Sequence, residues 1–217
     1  MKIKQIILFT DNIERQKQFY SDILDFELVF SSKDRIDFNV GQSILSFQYK
    51  AQFKPSHVAF NIPSNAIEEA LQWLQNRVEI LTYDDNKIAD FESWNAKAIY
   101  FYDADKNIME FIARNDLNVE SDEIFSSKSV LSISEMAIAT NNIERVYNAI
   151  TKINEIPIYS GDMSRFCALG NEEGLFILID KTVKKWFPTQ EDAYTSDFII
   201  TGDYNFHFEN GEIKALV

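Results

Sequence analysis

The chain reads as an α+β protein built from repeated βαβββ units, and three observations predict it. First, the segment "TDNIERQKQFY" at 10–20 returns as "TNNIERVYNAI" at 140–150, an offset of 130 residues with Thr, Asn, Ile, Glu and Arg in register. Each copy follows an apolar strand ("KQIILF", "SEMAIA") and opens a helix behind an Asp or Asn cap. Second, "SHVAFNI" at 56–62 leads through Pro63, Ser64 and Asn65 into "AIEEALQWLQNR", where Ala66, Ala70, Leu71, Trp73 and Leu74 form an apolar stripe at helical spacing. Third, strand-like runs follow every helix, so units begin near Gln5, His57 and Glu135.

Those runs are "FELVFS", "RIDFNV" and "SILSFQYK" in the first unit, "VEILTYD", "AKAIYFYD" and "NIMEFIA" in the second, and "IPIYSG", "RFCALG" and "GLFILID" in the third. The stretch "NDLNVESDEIFSSKSV" is polar and without period, which predicts a linker at 115–130. It separates a paired body at 1–114, made of units 1–52 and 53–114, from a third module at 131–217. The chain closes with "FIITGD" and the hairpin "YNFHFENGEIKAL", turned at Asn210-Gly211. Those last strands could supply the pairing that a missing fourth unit would give.

Composition narrows function. A net charge of −13 repels phosphate backbones and anionic lipid, so neither nucleic acid nor a membrane surface is an expected partner. The apolar run of "MKIKQIILFTDN" stops at Thr10, far short of a spanning helix of about 20 residues, and this places the chain in the cytoplasm. Cys167 is alone, which rules out an internal disulfide, and it reads as a small buried hydrophobe. With only His57 and His207, no three-histidine zinc site can form in one chain. His207 alternates with Phe206 and Phe208 and reads as a polar-face residue.

One carboxylate stands out. In "ADKNIMEFIAR" the two-residue period puts Glu110 on one face with Ile108 and Ile112. If that face is interior, the charge needs a partner. High aromatic content, 18 Phe, 9 Tyr and 3 Trp, would suit a cavity for a flat ligand, although the same residues could simply fill sheet and helix interfaces. Phe91 and Trp94 in "DFESWNAK" precede the Glu110 strands and are candidates for a pocket wall, with Tyr100 on the next strand. "KKWFPTQ" around Trp186 is an aromatic loop that could cover a cleft or make a domain contact.

The βαβββ repeat and the ending "AIYFYDADKNIMEFIAR" resemble the vicinal oxygen chelate superfamily, which holds glyoxalases, fosfomycin-resistance enzymes, bleomycin-binding proteins and extradiol dioxygenases. The aromatic strand and the glutamate strand match, whereas the turn reads Asp103-Ala104-Asp105-Lys106, without the family's Pro and Gly. The resemblance implies a curved, partly closed sheet made by two paired units and a divalent metal with ligands from four strand positions. Carried over singly, these fall on Gln5, His57, Glu110 and Ser46. Ser46 replaces a family glutamate and is read as a substrate contact.

Gln5, His57 and Glu110 would suit Mn, Fe, Co, Ni or Zn with open positions. Glu110 would also act as a base when displaced. Gln5 breaks the two-histidine, one-carboxylate set of oxygen-activating members, which makes dioxygenase chemistry the least expected. The expected activity is that of a metal-dependent lyase, isomerase or transferase on a small vicinal-oxygen substrate; the alternative is a non-enzymatic protein that sequesters a drug or metabolite. No basic cluster near the site strands marks a thiol-peptide substrate. Glu135 has no partner set in the sequence, so the third module reads as metal-free. The bland alternatives stay open: Glu110 in a surface ion pair, His57 as a hydrogen-bonded wall, Gln5 solvated. A monomer with one internal site is the expected form, a homodimer the alternative.

Overall fold

The computed structural model describes residues 1–216, and it shows three units of the βαβββ kind, the second with an additional short strand, while changing which of them pair. The first unit comprises β1 (Ile3–Thr10), α1 (Ile13–Gln18) with a π-helical continuation over Phe19–Ile23, β2 (Glu27–Ser31), β3 (Arg35–Val40) and β4 (Ser43–Tyr49). The second comprises β5 (His57–Ile62), α2 (Ile67–Gln75), the short β6 (Ile80–Leu81) and β7 (Ala89–Phe91), β8 (Ala96–Tyr102) and β9 (Ile108–Arg114). The third runs through β10 (Ser132–Thr140), α3 (Ile143–Thr151), β11 (Ile158–Gly161), β12 (Phe166–Asn171) and β13 (Gly174–Asp180). Three further strands follow: β14 (Phe198–Gly202), β15 (Phe206–Glu209) and β16 (Glu212–Ala215).

The repeated Thr-x-Asn turn has a physical reason. In both copies the Asn side chain accepts from the backbone N–H three residues on, Asn12 from Arg15 at 3.0 Å and Asn142 from Arg145 at 2.9 Å. The preceding threonine accepts the Asn N–H, at 3.0 Å for Thr10 and 3.2 Å for Thr140. Each strand thus turns into its helix with the first helical donors satisfied.

Two sheets form, neither of them closed. In each unit the opening strand lies parallel to the unit's last strand (β1 beside β4, β5 beside β9, β10 beside β13), which leaves its other edge free for a partner. Units one and two were expected to pair. Instead β5 pairs antiparallel with β10, giving one sheet in the order β11-β12-β13-β10-β5-β9-β8-β6, and β1 pairs antiparallel with β14, giving the other in the order β16-β15-β14-β1-β4-β3-β2. The last three strands therefore stand in for a fourth unit and cover the edge of β1 that would otherwise be open.

The expected linker is packed structure. Phe125 is buried against Trp73 and Phe111, the Asn65 side chain bonds Ser121 on both sides, and Leu131 N–H donates to Asn61 O at 2.8 Å, extending the β5–β10 ladder. It is long enough to bring β10 back beside β5, which is why the second and third units can mate. Gly41, at φ +58, lets the β3–β4 turn touch this segment; a Cβ there would lie 2.1 Å from Leu131 O. Ser43 ties the sheets together, donating to Ile3 O at 2.6 Å and accepting from Ile133 N–H at 3.1 Å. Both sheets bury one face in a common core, with Leu8, Phe38 and Phe47 from one and Phe60, Phe111 and Phe176 from the other. Cys167 lies within that core.

The Pro- and Gly-free turn is held by side chains. Asp103 accepts from the N–H groups of Asp105 and Asn107, both at 2.9 Å, and from Asn107 Nδ2 at 2.7 Å. Gln16 and Tyr20 of the first unit donate to it at 2.9 and 3.1 Å. Burial lifts this carboxyl to about 6, against the hydrogen bonds from Asn107 and Gln16. A carboxyl raised above its unfolded value binds the proton more tightly when folded, so its contribution to stability grows as pH falls through 6 and shrinks as pH rises. The unfolding free energy of wild type minus that of Asp103→Asn should rise by on the order of 2 kcal/mol between pH 7 and pH 4.5 in urea titrations; a flat difference would contradict this.

Candidate functional site

Period-two alternation along β9 sends Met109 and Phe111 into the common core and Ile108, Glu110, Ile112 and Arg114 to the opposite face of the second sheet. On that face small side chains recur from strand to strand, Ala59, Ala98, Ala137, Ala139 and Ala168. On this face lies a cavity of about 330 Å³. Its polar end carries His57, Glu110 and Glu135, its floor Ile112, Ile177 and Ile179, and its walls the aromatic rings of Phe91, Trp94, Tyr100, Phe166, Trp186 and Phe187.

Glu110 is 2% exposed and His57 7% exposed, and their side chains meet with His57 Nε2 2.9 Å from Glu110 Oε2. The parallel register makes this possible, because His57 pairs with Ile108 and Ala59 with Glu110 on adjacent strands. Trp186 packs edge-on to the imidazole at 5.7 Å and Tyr100 lies 6.0 Å away, so the pair sits in an apolar collar. Burial, and then the carboxylates of Glu110 and Glu135, push the Tyr100 phenol well above its ordinary range.

Glu135 faces the same cavity from β10. Its partner is Arg114, a fully buried guanidinium whose Nη2 donates to Glu135 Oε1. Burial and the neighbouring Glu110 carboxylate lift Glu135 to about 7, while Arg114 and His57 act against that rise. Arg114 Nη1 lies 3.6 Å from Glu172 Oε2, and Tyr159 donates to the other Glu172 oxygen at 2.5 Å.

Five residues expected at the site, His57, Glu110, Phe91, Trp94 and Tyr100, are brought together in this cavity. Gln5 and Ser46 are not. They lie on the other sheet and bond to each other, Gln5 Nε2 donating to Ser46 Oγ at 2.8 Å. The altered unit pairing is the reason. Glu135 occupies the place in the second–third pair that Gln5 holds in the first unit, and Ile177, opposite Ala137, occupies the place of Ser46, opposite Ile7. The sequence reading leaves Glu135 outside the candidate site, although the offset of 130 residues already maps Gln5 onto it; the structure puts it in the cavity lining. Arg114 and Glu172 carried no sequence signal, while Trp186 takes the cleft-covering option.

As arranged, no three His, Cys, Asp or Glu side chains among the described residues form a ready coordination shell, because His57 holds Glu110 and Arg114 holds Glu135. The residue types nonetheless fit a divalent ion: one imidazole and two carboxylates line one buried cavity, and the two carboxylates repel each other there.

No family model matches the chain. It is 31% identical over 116 residues to metallothiol transferase FosB of Staphylococcus haemolyticus, an alignment spanning 50% of this chain and 80% of that protein. Over the same shares of the two chains it is 30% identical to metallothiol transferase FosB of Staphylococcus epidermidis. A crystal structure of a Bacillus subtilis protein described as a candidate dioxygenase superposes with a TM-score of 0.61 at 13% identity, over 82% of this chain and 63% of that one, which shows a shared fold. The chain belongs to the vicinal oxygen chelate superfamily.

Removing Glu135 takes away the bonded partner of a buried guanidinium, with Glu172 3.6 Å from Nη1 as its remaining carboxylate. Glu135→Gln is therefore expected to cost about 1 kcal/mol of unfolding free energy, measured in urea, and Glu135→Gln with Glu172→Gln about 3 kcal/mol; a double variant as stable as wild type would show that Arg114 depends on neither.

Proposed function

We propose that the cavity of the second and third units is a catalytic site of the glyoxalase class, acting as a lyase, isomerase or transferase on a small substrate with neighbouring oxygen atoms. The observation that carries this reading is the inward-facing Glu110, bonded to His57 inside an aromatic-walled cavity. The two staphylococcal relatives are named as metallothiol transferases, which supports a metal-assisted reaction in this chain also. His57 and Glu110 would hold the ion, with Glu135 as third donor, and Mn, Fe, Co, Ni or Zn suits that set. When bound, such an ion supplies Lewis-acid polarisation of substrate oxygens.

The chain's own groups account for the remaining requirements. When displaced from the ion, Glu110 would accept a proton from a substrate carbon or heteroatom in the cavity that Ile112 and Ile177 also line. Trp94, Trp186 and Phe187 exclude water and orient a flat or compact substrate.

Elemental mass spectrometry on protein purified without chelators tests the ion. Near-stoichiometric metal that falls at least tenfold in both His57→Ala and Glu110→Ala, and is unchanged in Gln5→Ala, is the expected result. Metal lost with Gln5 and kept without His57 would contradict it. A second reading, sequestration of a small ligand, is favoured by the aromatic cavity itself and gains if no divalent ion loads.

A further inference from the structure

The buried Arg114 is the group least explained by the site above. Its side chain is 0% exposed, yet its Nε and Nη1 donors have no hydrogen-bond partner. Glu172 Oε2, 3.6 Å from Nη1, is likewise buried and unpartnered. A buried guanidinium normally uses its fork fully, and a buried carboxylate oxygen is normally bonded, because each unmet group costs free energy. Here one cation stands between two carboxylates, bonded to Glu135 and one short movement from Glu172. Glu172 sits in the β12–β13 turn with its side chain 23% exposed, and Tyr159 fixes its other oxygen, so it is held in place as a receiving group.

We infer that Arg114 is a positioning residue that sets the ion affinity of the site: it holds Glu135 away from His57 and Glu110, and it shifts to Glu172 when Glu135 turns to an ion. This inference rests on the divalent-ion reading above and adds to it that the third donor is conditional. The exchange conserves charge pairing, since Arg114 keeps a carboxylate partner in either position while the ion replaces it at Glu135. Loading is therefore weaker than for a free three-donor set by the cost of moving the guanidinium, and Glu172 reduces that cost.

Calorimetric titration of Co(II) into chelator-stripped full chain tests this with Arg114→Met, Arg114→Lys, Glu172→Gln and the double variant Arg114→Met/Glu135→Gln. Arg114→Met is expected to bind Co(II) about tenfold more tightly or better, Arg114→Lys close to wild type, Glu172→Gln severalfold more weakly, and the double variant to lose the gain. A purely structural Arg114 would lower the urea midpoint without tightening ion binding. Folded Arg114→Met with unchanged or weaker affinity, or Glu172→Gln with unchanged affinity, would overturn the inference while leaving ion binding by His57 and Glu110 intact. If circular dichroism shows Arg114→Met unfolded, Glu172→Gln against Arg114→Lys decides alone. No Co(II) uptake by wild type or any variant would instead remove the ion reading itself, and this inference with it.

Discussion

The antiparallel register between β5 and β10, with Glu135 opposite Ala59 and Met136 opposite Val58, is the constraint on which the site depends. It brings the opening strands of two units edge to edge, so that His57, Glu110 and Glu135 project from neighbouring strands onto one face. Because side chains alternate along a strand, a one-residue slip of β10 against β5 would send Glu135 into the common core and bring Met136 out, separating it from His57 and Glu110. The core opposes that slip, since Phe60, Phe111, Met136 and Phe176 are fully buried on the other face. Packing on one side of the sheet thus fixes chemistry on the other.

The two halves of the molecule share an architecture and differ in what it carries. In the first sheet β1 and β14 pair as β10 and β5 do, with Gln5 in the place of Glu135. Ile199, paired with Ile7, falls where His57 falls when the β10–β5 register is continued by one residue. Ser46 and Ile177 correspond as well, and beside β14 the first sheet has the antiparallel β15 where the second has the parallel β9 beside β5. The buried alanines of the cavity face belong to the second–third pair.

Much of this was legible in the residues. The three units, their caps and the inward face of Glu110 follow from local patterning, because strand alternation and helix capping are properties of neighbouring residues. Partner choice between units is not local. A repeated unit announces that its opening strand has a free edge, and it does not say which other edge will fill it. Proximity in sequence suggested the first and second units, whereas the length of 115–130 and the strands after 197 allowed the other solution. Gln5 was lost from the site and Glu135 gained by that single difference. Arg114 was hidden for a related reason: its role is defined by carboxylates on β10 and in the β12–β13 turn, both remote in sequence.

We place the ligand site in the second and third units, and not in the first and second. Anomalous diffraction from crystals of the cobalt-loaded protein tests it directly. An anomalous peak is expected in the cavity beside His57 and Glu110, with none near Gln5 and Ser46. A peak between Gln5 and Ser46, or an empty cavity in fully loaded protein, would contradict it.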